Sequence, residues 1–183
     1  AHTVLPAIFV LYSGYRYHWS VDVIGLTMMG TGILGVLVQV VCVGPVVARI
    51  GERGALLLGT LGGALGFALY GFAPTGLIYL ASAPVFALSN FIQPGLQGLM
   101  TRRVGPQEQG RLQGANQSLQ GIASVVGPII FNSTFAWAIH EDANLHAPGL
   151  PIFIASALLL SAFLLSVKVG RAPAATVAPA PAE

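Results

Sequence analysis

No charged residue occurs between Asp22 and Arg49, and none between Arg53 and Arg102. Each run exceeds the roughly twenty apolar residues that carry a helix across a bilayer, and the second has a turn signal, Ala73-Pro74-Thr75-Gly76, in its middle. Between them lies a short charged connector, Gly44-Pro45-Val46-Val47-Ala48-Arg49-Ile50-Gly51-Glu52-Arg53. A chain that runs apolar, turns at a basic connector and runs apolar again is a membrane hairpin. Lipid offers no partners for open sheet edges, and the period-two alternation of a barrel is absent, so the spans are expected to be helices. Charged residues make up 8% of the chain, against about 25% in soluble proteins. The mean hydropathy of +0.77 excludes a soluble domain on the same ground. The fold class is therefore all-α integral membrane.

In chain order, Thr3 to Gly14 is too short to span and reads as the far half of a helix, within a first span of about 1–15. Tyr12, Tyr15, Tyr17, His18 and Trp19 form an interfacial aromatic belt around Arg16. Ser20 is suited to cap the next helix, with Asp22 in its first turn. Further spans are expected at about 22–48, 54–72, 76–100, 112–138 and 150–168, making 1–171 a transmembrane unit and 172–183 a disordered tail. Arg49 and Arg53, then Arg102, Arg103 and Arg111, then Lys168 and Arg171 fall on one side, and Arg16, Glu141 and Asp142 on the other. The positive-inside rule makes the basic turns and the C-terminus cytoplasmic.

Small residues at i, i+4 spacing, Gly59/Gly63 and Gly62/Gly66, and again Gly110, Gly114 and Ser118, predict close helix packing. Pro84, Pro94 and Pro128 lie inside spans and are expected to kink or open them. Three interrupted helices suit a transporter better than an anchor. Val43-Gly44-Pro45-Val46-Val47 is echoed by Val126-Gly127-Pro128-Ile129-Ile130, a short match compatible with an inverted repeat.

Uncharged polar side chains near mid-span are costly in hydrocarbon unless they face a cavity or another helix. Asn90 and Gln93 are the first substrate-cavity candidates, followed by Gln39, Asn116, Gln117 and Gln120; hydrogen bonding between helices is the alternative for each. Gln97 and Gln113 lie nearer the cytoplasmic end, and His2 sits in the first, short span. Templates for serine hydrolases, phosphate-binding loops and zinc proteases are absent. His140, Glu141, Asp142 and His146 share one polar loop, read as a solvated turn and not a metal site. The lone Cys42 is a packed apolar residue. No metal or cofactor is expected, and the basic residues, set in membrane-flanking loops, do not indicate nucleic acid.

The connector resembles the cytoplasmic loop signature of the major facilitator superfamily: a glycine, three residues, an acid, a base, any residue, a glycine and two bases. Gly44, Arg49, Gly51 and Arg53 match it, Ala48 stands for the acid and Glu52 for a base. The order Gln93-Pro94-Gly95-Leu96-Gln97-Gly98-Leu99-Met100, Glu108-Gln109-Gly110-Arg111-Leu112-Gln113-Gly114, Ser118-Leu119 and Gly127-Pro128 is similar to helices ten and eleven of the tetracycline-resistance family of drug:proton antiporters. The resemblance implies a C-terminal six-helix bundle, helices seven to twelve with helix seven cut short, whose partner is an N-terminal six-helix half. It implies alternating-access efflux of tetracycline-like or other small-molecule drugs across a bacterial inner membrane, driven by the proton gradient. This half by itself is not expected to transport. Gly44, Arg49, Gly51 and Arg53 would form the gating loop, the arginines either latching helix ends or only setting topology, with Ala48 removing the acid of such a latch. Where well-known members carry a helix-eight histidine and a helix-nine aspartate, this chain has Gly35 and Gly63. The absence of charges inside the spans favours an alternative, a non-transporting membrane scaffold or partner-binding fragment; the prolines and motifs disfavour it.

Overall fold

The computed structural model describes residues 5–139 and 148–169. His2, the polar loop with His140, Glu141, Asp142 and His146, Arg171 and the 172–183 tail lie outside the described residues. Every regular element among them is helical. Helix α1 (Leu5–Tyr17) leads through His18, at φ 53°, into α2 (Val21–Leu37). Ser20 caps α2, its Oγ accepting from the Val23 N–H at 3.5 Å, with Asp22 in the first turn.

From Val21 the helical path continues to Phe72, 52 residues in all. At about 1.5 Å per residue that is roughly 78 Å, more than twice the roughly 30 Å hydrocarbon thickness. The path is therefore two crossings. After α2 comes a π-turn at Val38–Cys42, then α3 (Val43–Phe72), which reverses at Gly51. Gly51 has φ 72° and ψ 170°, a region essentially restricted to glycine. The expected separation of the two spans by a connector at Gly44–Arg53 is corrected: helix extends through Ile50 and resumes at Glu52, so one residue makes the turn. Val43 on one limb and Ala55 on the other then share a small core cluster with Phe91.

The stretch expected as one span at 76–100 is divided. It comprises α4 (Gly76–Ala81), α5 (Ala83–Ala87), a 3-10 turn at Leu88–Phe91 and α6 (Ile92–Thr101). Pro84 and Pro94 each lack the N–H that would bond four residues back, and a break falls within four residues before each. Ser82 Oγ donates to the Ile78 carbonyl at 2.8 Å, closing α4. Helix α7 (Gln109–Ala138), entered through a 3-10 turn at Pro106–Glu108, runs uninterrupted through Pro128. Pro128 thus does not open its helix; both copies of the Val-Gly-Pro echo are α-helical, the first directly after the π-turn and the second within an unbroken helix. Helix α8 is Leu150–Val169.

The limb of α3 after Gly51 is the centre of the packing. A Cβ built on Gly59 would lie 2.7 Å from Ile92 N, on Gly62 2.5 Å from Leu88 Cβ, and on Gly66 2.6 Å from Phe86 Cα. One on Gly63 would meet Leu159 Cδ1 at 2.8 Å. These glycines let α3 lie directly on α5, the 3-10 turn and α6 on one side and α8 on the other. Ser156 Oγ adds a 2.7 Å bond to the Ala64 carbonyl. By contrast, nothing lies within 4 Å of a Cβ on Gly110 or Gly114, so the expected packing face on α7 has no partner among the described residues.

The larger core cluster, including Phe9, Tyr12, Phe67, Tyr70, Tyr79, Phe131 and Phe135, lies toward the end of the bundle bearing the 18–20 and 73–75 turns. Tyr17 donates across them to the Ala73 carbonyl at 2.9 Å. The basic turns meet at the opposite end. There Arg53 Nη2 donates to the Val167 carbonyl at 3.2 Å, and Glu52 pairs with Arg102.

Candidate functional site

A cavity of about 440 Å³ opens between α1, α2 and α5, with Tyr70 and Tyr79 also on its wall. One side is α2 and its π-turn: Met28, Thr31, Gly32, Gly35, Val36 and Gln39. The other is aromatic and small: Phe9, Ala83, Phe86, Ala87 and Asn90 complete it with the two tyrosines.

Local sequence explains how the polar groups reach this space. Pro45 cannot donate to the Val41 carbonyl, and its ring crowds the preceding turn. The π-turn at Val38–Cys42 falls just before it and carries Gln39 onto the cavity wall; such turns commonly occur at functional sites. Asn90 sits in the 3-10 turn ahead of Pro94, and its Nδ2 donates to the Ala87 carbonyl at 2.8 Å. That bond fixes the amide and leaves Oδ1 to accept from a ligand. Gly35 faces it across the cavity wall: a Cβ there would lie in ordinary contact, 3.6 Å from Nδ2 and 3.9 Å from Oδ1. Tyr70 and Tyr79 flank the Ala73–Thr75 turn and stack, centroids 4.1 Å apart at 13°. Phe86 packs tilted on Tyr70 (5.3 Å, 39°) and Phe9 on Tyr79 (5.6 Å, 32°), and the four rings make an apolar aromatic wall. The described lining contains no Asp, Glu, Lys, Arg or His. Such a site offers ring stacking and amide hydrogen bonds.

The six polar candidates divide. Gln39 and Asn90 line the cavity, whereas Gln93 is exposed outside it. Asn116 is half-buried and Gln117 and Gln120 are exposed on α7, away from the cavity. Gly35 belongs to the cavity, but Gly63 faces Leu159 and Ser89 in a packed seam. The residues that sequence reasoning did not select are Phe9, Tyr70, Tyr79 and Phe86. Their signal was the pair of tyrosines placed on either side of one tight turn.

In the connector, Gly44 and Arg49 are exposed, and Arg49 has no hydrogen bond or ion pair among the described residues. Arg53 reaches the α8 end, and Gly51 makes the reversal. Glu52 pairs with Arg102, not with Arg49 or Arg53, while its side chain lies directly on Gly98.

The model of the Major Facilitator Superfamily matches residues 2–183. The chain is 34% identical over 133 residues to the class C tetracycline resistance protein of Escherichia coli, covering 73% of this chain and 34% of that protein. It is 30% identical over 173 residues to the class G protein of Vibrio anguillarum, covering 94% of this chain and 42% of that protein. It is 28% identical over 164 residues to the class B protein of Escherichia coli, covering 88% and 41%. The chain thus spans less than half the length of these relatives. No solved structure matches. With a helical membrane fold, glycine-packed spans and a match along nearly its whole length, the chain belongs to the Major Facilitator Superfamily.

Proposed function

We propose that this chain is part of a multi-pass membrane transporter that exports small-molecule drugs, tetracyclines or compounds of similar planar, polar-edged shape. The cavity carries the reading: an aromatic wall on one side, and two amides, Gln39 and Asn90, lining it from the π-turn after α2 and from the Pro94-broken span. Similarity to tetracycline resistance proteins supports the substrate class, and membership of a transporter superfamily supports transport over an enzymatic role. In this reading a second six-helix half closes the path, the protein works by alternating access in a bacterial inner membrane, and the basic turns and C-terminus are cytoplasmic. Because the described cavity wall has no Asp, Glu, Lys, Arg or His, this reading assigns the proton that drives export to groups elsewhere in the complete protein. In the complete protein Gln93, Asn116, Gln117 and Gln120 remain substrate-path candidates outside this cavity, and Gly44, Arg49, Gly51 and Arg53 form the gating loop.

The test is drug accumulation in susceptible bacteria that express the complete reading frame containing this chain. Expression should lower accumulation of tetracycline or a related planar drug, and a protonophore should abolish the difference. Asn90→Ala and Gln39→Ala, at equal membrane abundance, should weaken apparent affinity about tenfold each, the worth of one buried hydrogen bond of roughly 1.4 kcal/mol. Unchanged efflux in both variants would remove the cavity from the mechanism. No efflux of any planar drug by the unaltered protein would remove the function.

A further inference from the structure

Two polar side chains on the cavity wall have their donors engaged by backbone. Asn90 Nδ2 donates to the Ala87 carbonyl at 2.8 Å. Thr31, on the cavity side of α2, shares its hydroxyl proton between the Thr27 and Met28 carbonyls at 2.9 and 3.1 Å. Each side chain is thus held through a donor and keeps an acceptor, Asn90 Oδ1 or Thr31 Oγ1, to which no described residue donates. Oδ1 is also not sealed in the packing. We propose, on the basis of the export reading above, that the cavity selects its drug by hydrogen-bond donors: an O–H or N–H on the drug's edge is bound by Asn90 Oδ1, and Thr31 Oγ1 takes a second.

The rest of the described wall agrees with that polarity. It has no Lys, Arg or His. The backbone N–H groups of α2 at Gly32 and Gly35 are bonded within the helix, whereas a helical carbonyl keeps a second lone pair. Tyr70 and Tyr79, 1% and 3% exposed, offer a ligand little beyond the stacked wall. Gln39 is exposed and its amide is bonded to no described residue, so it turns to suit either kind of partner.

Gly35 lies against Asn90, a Cβ there being 3.6 Å from Nδ2. Thr31 is four residues earlier, about 6 Å along the helix. The two acceptors therefore suit donors spread along one edge of a planar molecule. A ligand that brings a lone pair to Asn90 leaves Oδ1 with neither water nor partner. Sites that hydrogen-bond a substrate O–H or N–H reject the analogue lacking it far more strongly than an apolar pocket rejects one changed methylene.

The experiment is equilibrium binding of radiolabelled tetracycline to the complete protein containing this chain, displaced by three analogues. These are the nitrile, which has lost the carboxamide N–H, the phenol methyl ether, which has lost that O–H, and the analogue without the dimethylammonium group. At least one should bind about ten- to hundredfold more weakly than tetracycline. In Asn90→Leu or Thr31→Val that gap should close to within about twofold, because the acceptor has gone. Thr31→Val is close to isosteric and lies on a different helix, so the test stands even where Asn90→Leu disturbs the 3-10 turn. Three analogues that all bind within about twofold of tetracycline on the unaltered protein would overturn the proposal. So would a weakened analogue whose deficit persists undiminished in both variants, the result expected if its donor is bound elsewhere in the complete protein. No binding of tetracycline by the unaltered protein would instead remove the export reading, and the donor selection with it.

Discussion

The glycine seam of α3 makes a prediction whose size follows from geometry. Gly66→Ala adds one methyl group 2.6 Å from Phe86 Cα and 2.9 Å from Phe86 N. Carbon atoms at rest sit about 3.5–4.0 Å apart, so α3 and α5 must separate by roughly 1 Å. The obstacle is backbone, so no rotamer change relieves it. Gly59, where a Cβ would meet Ile92 N at 2.7 Å, lies on the same seam and loses contact as it opens. Against this, replacing glycine by alanine inside a helix contributes about 0.5–1 kcal/mol. Overpacking costs about 1–3 kcal/mol, and in lipid close packing is the main force joining helices. The net expectation for Gly66→Ala is a loss of about 1–2 kcal/mol. Gly121→Ala is the control, because a Cβ there has nothing within 4 Å; it should be neutral or stabilising by up to about 1 kcal/mol. Both can be read from SDS titration in mixed micelles, followed by tryptophan fluorescence. A Gly66→Ala variant as stable as the parent, or a Gly121→Ala variant that falls with it, would refute the seam as the source of stability.

Three further outcomes can be checked on the same titration. Arg102 is 72% exposed and its partner Glu52 21%, so reversing either charge should cost about 0.2–1 kcal/mol, less at high salt. The double reversal Glu52→Arg with Arg102→Glu should recover part of that loss, and no recovery would show that the two side chains do not interact. Gly51→Ala forces a Cβ into φ 72° and ψ 170° and should cost about 1–3 kcal/mol; a smaller loss would mean the turn has another geometry. Ser156→Ala removes the 2.7 Å bond to the Ala64 carbonyl and should cost about 0.5–1.5 kcal/mol, with no change expected if α8 is held by packing alone.

Spans and turns are written in features that act locally, and those were readable. The two charge-free runs dictate helices in lipid whatever packs around them, and Ser20 caps α2 by its own side chain. Pro84 and Pro94 mark breaks because a missing N–H is a local fact. Pro128 follows the same rule but sits in an unbroken α7; the difference lies in its surroundings, which spacing does not encode. The cavity was half legible for the same reason. Asn90 and Gln39 stand out as polar groups in apolar runs, but so do Gln93, Gln117 and Gln120, and only the direction in which each helix faces separates them. Tyr70 and Tyr79 looked like ordinary span residues until the intervening turn stacked them. Glu52 was read as a degenerate base position, and its pairing with Arg102, 50 residues on, is a tertiary fact.

The cavity lies where a tightly joined part of the bundle meets a loosely joined one. Phe86 belongs to the first: its backbone rests on Gly66 while its residue forms cavity wall, so that wall is tied to the seam of α3. Helix α2 belongs to the second. Gly25, Gly30 and Gly32 have open space where a Cβ would be, only Ile24 and Thr27 are buried, and the helix leads into a π-turn, not a rigid corner. Among the described residues, a displacement of α2 would break few contacts, whereas a displacement of α5 against α3 would break a close-packed backbone seam. Local opening draws on the elements with the fewest buried contacts, so of the two amides Gln39 stands on the loosely held side of the cavity and Asn90 on the tightly held one.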